Sequence, residues 1–137
     1  MSEVKENILL KVLTSVQKRN SYEIQEIHHG YVKIKFSLEK VDVADNKNIV
    51  FEADIFKVAN FAALAAVNEL DSFVLSSHVD FLSQVELESK ELIFEAKAMS
   101  SSLGKKFVEV TAKSNDIVIF IGDFTVLKLD KRTDLRL

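Results

Sequence analysis

Cysteine, proline and tryptophan are absent from this 137-residue sequence, and glycine and histidine occur three times each. Without cysteine there is no disulfide scaffold, no thiol catalysis and no cysteine-ligated zinc. Two of the three histidines form the doublet His28-His29, too small for a metal site without carboxylate partners, so no metal is expected. The lack of proline removes the usual marker of a hinge. Charge is nearly balanced, with 18 Lys and Arg against 21 Asp and Glu. No basic cluster exceeds a short doublet, which argues against the one-sided cationic surface of a nucleic-acid binder. No apolar run approaches the roughly 20 residues that span a bilayer. The first six residues carry acids where a secretory signal needs a basic start. A cytoplasmic protein without membrane or nucleic-acid partners is expected.

What is present suits one domain with its own core, 47% hydrophobic and 28% charged. Residues 2–18 place Val4, Ile8, Val12 and Val16 at helical spacing, with Leu9 and Leu13 beside them. This predicts an N-terminal amphipathic helix, assigned to residues 1–20. After a turn at His28-His29-Gly30, residues 31–38 alternate Val32, Ile34, Phe36 and Leu38 against Lys33, Lys35 and Ser37, the period of a half-buried strand. A polar loop over 42–48 leads into a helix of about 54–69. That helix is apolar on nearly every turn from Ile55 to Val67, so other structure must enclose it.

Strands follow at about 73–82, 90–99, 105–113 and 117–129. In the first, Phe73, Leu75, Ser77, Val79 and Phe81 are expected on one face, with Ser76, His78 and Asp80 on the other. Gly122 in the last marks a bulge or a close backbone approach. Four strands joined by short turns are most simply antiparallel. A curved antiparallel sheet wrapped around the apolar helix then gives an α+β domain over residues 21–130, and 131–137 read as a charged tail.

One amide, Asn60, interrupts the apolar helix. An unpaired buried polar group costs roughly 1–3 kcal/mol, so Asn60 needs a partner: a ligand, a neighbouring strand, or the same helix of a second subunit. Glu52 and Asp54 complement the positive end of the helix. Lys57 and the doublet Lys105-Lys106 serve either solvent or an anionic ligand. His78 and Asp80 share a strand face, as an acid–base pair or as a polar face at a subunit contact.

The layout resembles the hotdog fold of acyl-CoA thioesterases, in which a curved antiparallel sheet wraps a central helix, over about residues 31–129. Carrying the resemblance are Phe56 with Ala59-Asn60, the small-residue run Ala62-Ala63 to Ala65-Ala66, Val79 to Phe81 with Gln84-Val85, and Gly122-Asp123-Phe124. It is closest to the phenylacetic-acid-type thioesterases and to the malonyl-CoA-sensing effector domain of the fatty-acid-biosynthesis repressor. The phenylacetic-acid-type enzymes carry His-Gly-Gly before the helix and an acid within it. Here the aligned positions read Phe51-Glu52-Ala53 and Asn60. The repressor's effector domain also has Asn there and binds the thioester without cleaving it, but this chain has no room before Ser21 for that repressor's DNA-binding segment.

The resemblance implies a homodimer, or higher homo-oligomer, that binds acyl-CoA or acyl-carrier-protein thioesters at a subunit interface. Asn60, Phe56, Lys57 and Ala63 are the expected ligand contacts, along the stripe that continues to Val67. Hydrolysis is expected to be weak or absent, since an amide cannot take a proton. The alternative is an active acyl-CoA thioesterase in which Glu52 or Asp54 is the base and Asn60 orients the carbonyl. A third reading is a structural oligomer whose groove is filled by its own side chains. No cofactor is expected beyond acyl-CoA as ligand.

Overall fold

The computed structural model describes residues 6–43 and 48–129. Its elements are a short helix α1 (Thr14–Arg19), a hairpin β1 (Glu23–His28) and β2 (Tyr31–Ser37), a long helix α2 (Glu52–Val67), and the strands β3 (Ser72–Phe81), β4 (Glu91–Ser102), β5 (Lys105–Ser114) and β6 (Ile117–Lys128). The strands form one sheet in the order β1-β2-β4-β5-β6-β3, and every pair is antiparallel. The sheet curves around α2, which packs on β2, β4, β5, β6 and β3. This is the α+β architecture the sequence implied. No helix among the described residues is long and apolar enough to cross a membrane.

Alanine makes α2 a good helix and lets strands approach it closely. Val58, Ala59, Ala62, Ala63, Ala65 and Ala66 are all fully buried. Against them lie Val32, Ile34, Leu92, Phe94, Val110, Phe120 and Phe124 from the inner face of the sheet. Asn68 ends the helix in the left-handed conformation, φ 52°, where asparagine is tolerated better than most residues.

Near the N-terminus the structure departs from the expected helix. Only Thr14–Arg19 is helical; residues 6–12 run as an extended strap, and 1–5 lie outside the described residues, as does the tail 131–137. The strap is fixed by tertiary hydrogen bonds. Ile8 N–H donates to the Ile27 carbonyl at 2.9 Å, and Ile27 N–H donates to Asn7 Oδ1 at 3.0 Å. Lys11 N–H donates to Asn68 Oδ1 at 2.7 Å, while Asn68 Nδ2 donates to the Leu9 carbonyl at 2.9 Å. An isolated helix of this length is marginal, and the edge of β1 together with Asn68 offers its backbone better partners.

Two bulges reset the strand patterns. In β1, Ile24 pairs with Ile34 but Glu26 with Lys33, so Gln25 is the extra residue. In β3, Val74 pairs with Val126 and Ser76 with Thr125, so Leu75 is extra. Contrary to the expectation of one shared face, Phe73 and Leu75 therefore do not lie with Ser77, Val79 and Phe81, and the latter three pair with Phe124, Gly122 and Phe120 on the inner side. Gly122 itself lies opposite Val79 without a bulge. A Cβ there would come within 2.9 Å of both Val79 and Phe124, so it marks a close approach.

Candidate functional site

Glycine is missing from the start of α2, and Phe51, in the cap position, supplies no side-chain hydrogen bond. Among the described residues the N–H groups of Glu52 and Ala53 have no acceptor, whereas Asp54 N–H reaches the Phe51 carbonyl at 3.0 Å. The loop before the helix is pinned by Val50 N–H on the Val85 carbonyl at 2.8 Å. This pin opens a cleft of about 350 Å³ between the helix start and the chain leaving β3, lined by Val50, Glu52, Ile55, Phe81, Ser83, Gln84 and Val85. Free N–H groups at a helix start attract an oxygen carrying partial negative charge.

Glu52 and Asp54 do not act together. Two residues apart on a helix lie about 200° around its axis, and the structure places Glu52 in this cleft and Asp54 in another on the far side of α2. Asp54 Oδ2 is also engaged, accepting from Asp42 N–H at 3.0 Å. Of the two, Glu52 alone faces the uncapped helix start.

Phe56 and Asn60 sit one turn apart on a half-buried part of α2, where the Phe56 ring lies 6.0 Å from that of Phe124 in β6. Among the described residues Asn60 makes no side-chain hydrogen bond, so its amide is free for a ligand or a second subunit. The buried amide of this fold is instead Asn68, 6% exposed and bonded through both its oxygen and its nitrogen to the strap. The other two expected contacts lie elsewhere. Ala63 is fully buried in the core and lines no open surface. Lys57 projects into the Asp54 cleft and donates to Asn20 Oδ1 at 3.0 Å.

His78 and Asp80 do meet, at 3.7 Å, but both are well exposed on the outer face of edge strand β3. Lys106 is held by Glu69 at 2.7 Å, and Lys106, helped by Lys128, keeps the Glu69 carboxyl below the usual carboxylate range. Among the described residues no group of three His, Cys, Asp or Glu is placed to hold a metal ion. The sequence pattern did not single out Ser83 beside Gln84, or the uncapped N–H groups; the lack of a Ser, Thr, Asp or Asn cap before Glu52 is the signal that could have found the latter.

No protein-family model matches the chain. Among curated proteins, the methylthioribose-1-phosphate isomerase of Aquifex aeolicus is 28% identical over 106 residues, 77% of this chain; the match spans 23% of that protein. Among solved structures, an uncharacterized Pyrococcus horikoshii protein superposes with a TM-score of 0.84 at 25% identity, covering 93% of this chain and 97% of the other. The PaaI protein of the Escherichia coli phenylacetic acid degradation operon gives 0.74 at 10% identity, covering 86% of each. A hypothetical thioesterase of Streptococcus pneumoniae, solved with coenzyme A, gives 0.66 at 15%, covering 82% and 88%. At such identities the last two show the fold alone: this chain shares their hotdog fold.

Proposed function

We propose that this protein is a cytoplasmic homodimer that binds acyl-CoA, or an acyl group on acyl-carrier protein, as a sensor or binding module with weak or no hydrolysis. The observation that carries the proposal is Asn60: a neutral amide beside Phe56, half-buried and without a partner among the described residues. Eight residues separate Asn60 from Glu52, about 12 Å along a helix, so one chain cannot bring both to one carbonyl. A second copy paired along the free edge of β3, with its helix antiparallel, brings its own Asn60 toward the Glu52 cleft and completes a site. In that site the N–H groups of Glu52 and Ala53 receive the thioester oxygen, the partner's amide hydrogen-bonds the carbonyl region, and Phe56 and Phe81 flank the acyl chain.

Support comes from the shared fold and from a coenzyme A complex in one structural neighbour. An active thioesterase is the second reading, favoured by the carboxylate of Glu52 at the mouth of the same cleft.

Thermal unfolding with octanoyl-CoA tests the binding claim. Saturating ligand at 100 times its dissociation constant adds about 2.7 kcal/mol to the native state and raises Tm accordingly. Asn60→Ala should reduce that rise while leaving the ligand-free Tm near wild type. A variant that loses stability but keeps the full ligand shift would show that Asn60 is a structural tie.

A further inference from the structure

Among the described residues, the cleft at the start of α2 carries a single ionisable side chain on its walls, Glu52. Val50, Ile55 and Val85 are each 2% exposed and form its apolar floor, and the Phe81 ring stands edge-on to Phe120 at 5.2 Å. Ser83 and Gln84 complete the lining with neutral polar groups. Among the described residues Glu52 has no ion pair.

The cations nearest in the fold are turned elsewhere. Lys57 projects into the cleft on the other side of α2, where it donates to Asn20 Oδ1 at 3.0 Å. Lys106 and Lys128 lie past the far end of α2, 2.7 and 3.6 Å from the Glu69 carboxylate. The positive end of the helix dipole does not reverse the balance. Glu52 in the first turn already complements it, and in the proposed complex the uncapped N–H groups are taken by the thioester oxygen.

An acyl group entering this cleft therefore meets hydrocarbon and a negative charge. A neutral chain gains about fourfold in affinity for each methylene buried against these walls. A carboxylate on the acyl group loses water against the same walls with no cation to pair with, and Glu52 repels it besides.

We infer that the site selects uncharged acyl groups and rejects those ending in a carboxylate, such as malonyl or succinyl, with Glu52 setting the selection. The inference rests on the thioester-binding reading, and it sets this chain apart from the malonyl-CoA sensor it resembles in sequence.

Calorimetric titration of the full chain with isovaleryl-CoA and with malonyl-CoA tests it, since these acyl groups have nearly the same shape and differ by one charge. Both carry the same CoA, so the ratio of the two affinities cancels anything a variant does to the nucleotide. Wild type should bind isovaleryl-CoA at least about tenfold more tightly. Glu52→Gln keeps the size of the side chain and removes its charge, and it should narrow the ratio about threefold. Gln84→Lys, at an exposed position, adds a cation to the wall and should narrow the ratio about tenfold. Equal affinities in wild type, tighter binding of malonyl-CoA, or a ratio that neither variant narrows overturns the selection and leaves thioester binding standing. Absence of isovaleryl-CoA binding also overturns it; the Tm shift with octanoyl-CoA then shows separately whether the thioester reading falls with it.

Discussion

Asn60→Asp is expected to raise the hydrolysis of acyl-CoA by at least about 10²-fold over wild type, the lower end of what a general base contributes. The substitution is nearly isosteric and the position is half-buried rather than sealed, so the new carboxylate can hold a water without being forced to stay protonated. Release of free CoA, followed with a thiol reagent, measures it. Wild type should be slow because nothing at position 60 accepts a proton. If wild type already turns over at ordinary enzyme rates and Glu52→Gln abolishes this, the base is at the helix start and the second reading replaces the first. Asp54→Asn should have little effect on turnover in either case, since its side chain opens on the opposite cleft.

The second large effect concerns stability. Asn68→Ala removes the acceptor of Lys11 N–H and the donor to the Leu9 carbonyl, and it places a Cβ-bearing residue without a compensating side chain at φ 52°. Two part-buried hydrogen bonds and the left-handed strain together should cost about 2–4 kcal/mol, lowering Tm by roughly 10 °C in a domain of this size. Asn68→Gly loses the same two bonds but relieves the backbone strain. Its Tm should fall between those of wild type and Asn68→Ala. Equal Tm values for all three would show that the strap contributes nothing to the folded state.

The same strap shows where the sequence is ambiguous. Val4, Ile8, Val12 and Val16 repeat every four residues, while Ile8, Leu10 and Val12 also repeat every two. The structure follows the second period, with those three half-buried and Leu9, Lys11 and Leu13 exposed. What decides between them is Asn68, 57 positions from Lys11, and no local pattern contains it. β1 escapes detection for a different reason. Its bulge at Gln25 moves the next inward residue to Ile27, three places after Ile24, which reads as helix rather than strand.

Where strands are regular the sequence period suffices, as in β2, where Val32, Ile34 and Phe36 are buried and the residues between them are not. For α2 the predicted and observed bounds differ by two residues at each end. The site was less legible. Asn60 stands out because polar residues are rare in that helix, but all-round apolarity hides which side faces the sheet. Ala63 consequently falls in the core, and Lys57 on the far side of the helix from the Glu52 cleft. Glu52 and Asp54 look alike in sequence; helical geometry alone sends them to different clefts.

The central claim is that this chain holds a thioester intact. Native mass spectrometry of the wild-type protein mixed with octanoyl-CoA, with free CoA quantified in the same samples over time, tests it directly. A dimer carrying intact octanoyl-CoA is expected, with CoA released little faster than from the ester alone in buffer. A dimer found with free CoA, released at the rate of an ordinary thioesterase, or a protein that binds no octanoyl-CoA, would contradict it.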